Sequence, residues 1–126
     1  MYELIHEDEH LLVVHKPAGW LTIPDRAGNK DSLLGALEKR YGKVFVVHRL
    51  DRETSGILCF ARNAEAHRHL SLQFEHHTAD KYYFALLDGE LHHEEGEIDK
   101  PIGEHPVIPG KMAIVKNGKP SLTFYR

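Results

Sequence analysis

The run His48-Arg49-Leu50-Asp51-Arg52-Glu53-Thr54-Ser55-Gly56 gathers two carboxylates, two guanidiniums and two hydroxyls into one stretch of chain. Apolar runs at residues 44–48 and 57–61 bracket it, so the charged segment reads as a loop held between two strands, where catalytic groups concentrate. From spacing alone the plainer reading is a surface turn, because a carboxylate flanked by arginines is usually a local salt bridge. The chemical reading is that neighbouring cations keep Asp51 ionised and ready to attack an electrophilic carbon.

The elements around this loop follow from pattern. Residues 4–6 and 11–15 are short aliphatic runs separated by Glu7-Asp8-Glu9, which predicts a hairpin. Lys16-Pro17-Ala18-Gly19 breaks that pattern, and a loop to Lys30 follows. Asp31 is positioned to cap a helix starting at Ser32, with Leu33, Leu34, Leu37 and Tyr41 on one face and Gly42 as its stop. Asn63 caps a second helix running to Glu75, with Ala66, Leu70 and Phe74 on its buried stripe. Further strands are predicted at residues 81–87, 96–102, 112–115 and 121–125, with turns at Asp88-Gly89 and at Asn117-Gly118, the latter joining the last two strands as a hairpin. Many strands with two inserted helices predict an α+β fold built on a mixed, largely antiparallel sheet flanked by those helices.

The 126 residues make about one small domain, and 28% charged with 41% hydrophobic residues is the balance of a folded chain rather than a disordered one. No apolar run approaches the roughly 20 residues of a membrane span, and the acidic start lacks a signal peptide's character, so a cytoplasmic location is expected. Cys59 is the single cysteine, which excludes an internal disulfide and a thiolate cluster, and its apolar neighbours predict core packing. Net charge is −3, yet residues 39–68 are net +4 and residues 88–104 carry seven acids against Lys100, so faces of opposite sign are possible. Eleven histidines suggest metal, but the pairs His67/His69, His76/His77 and His92/His93 diverge on a helix or strand, so no metal site is expected.

The loop then gains a specific meaning. His-Arg-Leu-Asp-x-x-Thr-Ser-Gly resembles the signature around the catalytic aspartate of RluA-type RNA pseudouridine synthases. Lys16-Pro17-Ala18-Gly19 resembles that family's early Lys-Pro-x-Gly loop, Lys81-Tyr82-Tyr83-Phe84-Ala85 its Lys-x-Tyr-x-Ala strand, and Gly118-Lys119-Pro120 its later Gly-Lys-Pro turn. The resemblance implies isomerisation of uridine to pseudouridine in ribosomal or transfer RNA, without cofactor or metal and without an obligate protein partner. It makes Asp51 the nucleophile, on C1′ or C6 of a flipped-out uridine, and places Tyr83 against the uracil. Arg49 would fill the gap left by the flipped base; Arg52, Lys16, Lys81 and His48 become candidate RNA contacts. His48, Thr54, Ser55 and Gly56 would shape the loop.

The family's later Gly-Arg-[Thr/Ser]-His-Gln-[Ile/Leu]-Arg motif is absent from these residues. The chain is therefore expected to be a partial catalytic domain, the N-terminal portion of a small synthase without a separate N-terminal RNA-binding domain. A non-catalytic RNA-binding fragment that keeps the fold is the alternative reading.

Overall fold

The computed structural model describes residues 1–25 and 31–126, so the end of the loop predicted to reach Lys30 lies outside the described residues. The chain forms two compact units, Met1–Tyr82 and Tyr83–Arg126. Among the described residues no helix is long and apolar enough to cross a membrane.

The first unit is a four-stranded sheet with two helices, in the order β1 (Glu3–Glu7), β2 (Leu11–Lys16), α1 (Leu33–Tyr41), β3 (Phe45–Val46), β4 (Gly56–Ala61) and α2 (Ala64–Glu75). The strands lie β1-β2-β4-β3, every neighbouring pair antiparallel. The β1–β2 hairpin closes because the Asp8 carboxylate accepts the backbone N–H groups of His10 and Leu11 at 2.7 and 2.8 Å. Alternation along β2 sends Leu12, Val14 and Lys16 inward, and β4 answers with Leu58 and Phe60 in register. Leu33 and Leu37 of α1 join these side chains in one core with Val44 and Leu50.

The caps are local chemistry. Ser32, not Asp31 as expected, is the N-cap of α1, its hydroxyl accepting from Gly35 N–H; a hydroxyl one residue nearer the helix reaches the orphan donor. Gly42 ends α1 at φ +74°, a conformation that suits glycine. Asn63 caps α2 as predicted, accepting from Ala66 N–H at 2.9 Å. Its stripe of Ala66, Leu70 and Phe74 is only half-buried. The Phe74 ring stacks on His48, and the His67 ring stacks on Phe45 of β3.

The second unit contains two short ladders, β5 (Gly96–Asp99) with β8 (Leu122–Tyr125), and β6 (Ile102–Glu104) with β7 (Met112–Ile114). One expected strand, residues 96–102, is thus broken in two at Lys100 and Pro101. The hairpin expected between β7 and β8 does not form. Asn117-Gly118 does turn the chain, with Gly118 N–H donating to Val115 C=O, but Lys119 then exchanges both backbone hydrogen bonds with Ile102, and β8 continues to β5. The strand expected at residues 81–87 is also absent: a strand exists by pairing, and no described strand pairs with it. Its Phe84 and Leu86 are fully exposed.

Candidate active site

The loop between β3 and β4 is anchored from below. Leu50, only 8% exposed, belongs to the core, and burying a leucine stabilises by about 1.5–3 kcal/mol. The exposed Arg52–Glu53 pair at 3.7 Å is worth about 0–1 kcal/mol, so Leu50 rather than surface charge holds the loop down. Thr22 clamps the same residue: its hydroxyl donates to Leu50 C=O at 2.7 Å and accepts Leu50 N–H at 3.2 Å. Thr22 is itself fixed to α1 through its carbonyl, which accepts Leu34 N–H.

A second set of bonds secures the far side of Asp51. Gly19 N–H donates to Arg52 C=O at 2.8 Å, and Arg52 Nε–H donates to Gly19 C=O at 3.1 Å. Thr54 N–H closes a turn onto Asp51 C=O at 3.2 Å. Gly56 then enters β4 at φ +142°, outside the range of ordinary side chains. His48 closes the near end, its Nε2 accepting Cys59 N–H from β4 at 3.0 Å while its ring stacks 4.3 Å from Phe74. Burial, and then the charge of Lys81, hold its pKa below the ordinary 6.5, in keeping with a neutral acceptor.

The backbone on both sides of Asp51 is thus fixed while its carboxylate faces solvent. Among the described residues no hydrogen bond or ion pair engages that carboxylate. Arg49, next to it, is also exposed. Arg52 is turned away to Gly19 and Glu53, so the anticipated Asp51–arginine ion pair is not the arrangement found. A carboxylate on a rigid, accessible loop with both oxygens open can serve as nucleophile or base.

Lys16 corrects the sequence reading. As an inward-facing residue of β2 it is 0% exposed, and Nζ donates to the carbonyls of Pro17, Trp20 and Arg52 at 3.0, 2.8 and 3.0 Å. All three ammonium hydrogens are spent, leaving none for phosphate. Burial lowers its pKa, opposed by the charges of Glu53 and Asp51. Lys81 and Ser55 are exposed, and Thr54 is half-buried. Tyr83 lies in the second unit, 62% exposed and outside any strand. Thr22 went unnoticed in the sequence because nothing in Leu21-Thr22-Ile23-Pro24 marks a partner 28 residues away. Cys59 is half-buried, and burial pushes its thiol pKa up, away from reactivity.

Comparison with known proteins gives this geometry a context. Residues 10–126 match the RNA pseudouridylate synthase family. The chain is 40% identical to the dual-specificity RNA pseudouridine synthase RluA of Vibrio parahaemolyticus, covering 98% of this chain and 50% of that one. It is 38% identical to the ribosomal large subunit pseudouridine synthase D of Nitrosomonas europaea, over 98% of this chain and 38% of that protein. Among solved structures, human RNA pseudouridylate synthase domain containing 1 superposes with a TM-score of 0.81 at 28% identity, over 98% of this chain and 51% of the other. The chain spans half or less of the length of these two bacterial relatives. With the family profile matched from residue 10 to residue 126 and the His48–Gly56 loop at the centre of the first unit, the chain belongs to the RNA pseudouridylate synthase family.

Proposed function

We propose that this chain carries the nucleophile of an RNA pseudouridine synthase, with Asp51 attacking a flipped-out uridine of ribosomal or transfer RNA. The observation that carries the reading is the pairing of a fixed backbone with an open carboxylate at Asp51, within the family's motif. Attack at C1′ of the ribose or at C6 of the uracil forms a covalent adduct with a carboxylate oxygen. The glycosidic C1′–N1 bond breaks, the uracil turns, and C5 bonds to C1′. The C5 proton is lost, N1 gains one, and the carboxylate is released. Substrate and product are isomers, so the balance needs no cofactor.

Arg49 supports base flipping: an exposed guanidinium beside the nucleophile can occupy the stack that the uridine leaves, offsetting an unstacking cost of a few kcal/mol. Tyr83 is the proposed partner of the uracil ring and of the departing C5 proton. Arg52 and Lys81 are proposed phosphate contacts, and the setting is the cytoplasm.

The test is incubation of residues 1–126, and of the product of the complete reading frame, with ribosomal and transfer RNA. Modification is read as carbodiimide-dependent primer-extension stops, with Asp51→Asn as control. Stops that require Asp51 establish the activity. Their absence with the complete product, alongside retained RNA binding, supports the non-catalytic RNA-binding reading, which the chain's coverage of half or less of those bacterial relatives keeps in play.

A further inference from the structure

Beside the Asp51 loop lies a cleft of about 540 Å³, within the roughly 300–1,000 Å³ range of small-ligand sites. Trp20 and Arg52 line it together with Gly35, Ala36 and Lys39 on the α1 side. Small residues at 35 and 36 keep that side open, and Lys39 is exposed two turns into the helix. Arg52 Nε–H is committed to Gly19 C=O, with the Glu53 carboxylate 3.7 Å away, while its terminal nitrogens carry no hydrogen bond among the described residues. Asp31, just before the N-cap of α1, also lines the cleft, while Lys39 lies in the last turn of the helix.

This lining combines what a nucleotide needs: an aromatic residue, a small-residue surface that admits a flat base, and two cations for phosphate. Because Arg52 directly follows Asp51, a ligand here is continuous with a uridine at the nucleophile. Resting on the synthase reading, we propose that this cleft is a subsite for a ribonucleotide neighbouring the target uridine. Its base lies against Trp20 and α1, and its phosphate meets Lys39 and Arg52.

Trp20 is the chain's only tryptophan, so its fluorescence reports on this cleft alone. Titration with hexauridylate is expected to quench it saturably, in Asp51→Asn as well as in the unaltered protein, which separates binding from turnover. Lys39→Ala, at an exposed position where alanine suits the helix, should weaken binding at least about threefold and flatten the salt dependence by about 0.7 in log–log slope, the value of one single-strand phosphate contact. Ala36→Leu, which suits a helix, should weaken quenching by narrowing the α1 side of the cleft. Binding seen by anisotropy of labelled hexauridylate without Trp20 quenching, or quenching indifferent to both substitutions, overturns the subsite. Pseudouridine formation without quenching removes the subsite and leaves the synthase; quenching without pseudouridine formation removes the synthase and leaves a nucleotide-binding cleft.

Discussion

The Lys16 ammonium donates a 3.0 Å hydrogen bond to the backbone carbonyl of Arg52, 36 residues further along the chain. The same ammonium holds Pro17 and Trp20, so one buried cation ties the end of β2 to the residue after Asp51. Charge-assisted bonds to three carbonyls offset the cost of burying an ammonium, and removing it strands its partners. Arg52 C=O would still accept Gly19 N–H, but the Pro17 and Trp20 carbonyls would lose this donor. Lys16→Met is therefore expected to lower unfolding stability by about 2 kcal/mol or more, measured by urea denaturation. Lys16→Arg should not rescue it, since a planar fork cannot occupy a site shaped for a compact ammonium.

Thr22 gives a sharper test of loop fixation, because Thr22→Val keeps the shape and removes both bonds to Leu50. Two buried backbone groups left unpaired cost about 1–3 kcal/mol each, so a loss of about 2–6 kcal/mol is expected in denaturation. Thr22→Ser retains the hydroxyl and should lose only about 1 kcal/mol, the worth of a buried methyl. On the proposed synthase reading, kcat in the pseudouridine assay should fall for the valine variant and recover with serine.

Where sequence reading succeeded, the signal was local. The β1–β2 hairpin, the Asn63 cap and the Gly42 stop each depend on neighbours within a few residues, and the apolar runs on either side placed the loop between β3 and β4. Apart from the one-residue shift of the α1 cap from Asp31 to Ser32, failures came where distant partners decide. The β2 alternation that buries Leu12 and Val14 also points Lys16 inward, a signal present in the sequence but outweighed by the habit of leaving lysine in water. The aromatic run at 81–87 has strand composition, but composition supplies no partner. Asn117-Gly118 marks a turn correctly without saying which strands it serves.

Gly118 is irreplaceable for a reason of distance. A Cβ there would lie 2.6–2.8 Å from the backbone of Ile102, the residue that bonds Lys119 on one side and pairs with Ile114 on the other. Backbone cannot swing aside as a side-chain tip can, so Gly118→Ala should break the Lys119–Ile102 exchange. Amide hydrogen exchange should show Ile102 and Lys119 losing protection, while Leu12 and Leu58 in the other unit keep theirs.

His48 predicts a pH dependence. Its pKa in the fold lies below the ordinary 6.5, chiefly through burial and secondarily through Lys81. Between that lowered value and 6.5 the unfolded chain binds more protons than the native one, so stability rises with pH and falls on acidification below about 6.5. The slope from one such group is at most about 1.4 kcal/mol per pH unit. Protonation also places a hydrogen on Nε2 against Cys59 N–H, which breaks the bond closing the near end of the loop. With eleven histidines in the chain, the informative quantity is a difference. Between pH 7 and 5, His48→Gln should lose stability less steeply than the unaltered protein, from a lower starting value because the ring stack on Phe74 is gone. Lys81→Ala should move the His48 titration midpoint, followed by its ring-proton NMR signal, upward toward 6.5, because a neighbouring positive charge no longer opposes protonation. A midpoint unmoved by that substitution would mean that burial alone sets the shift.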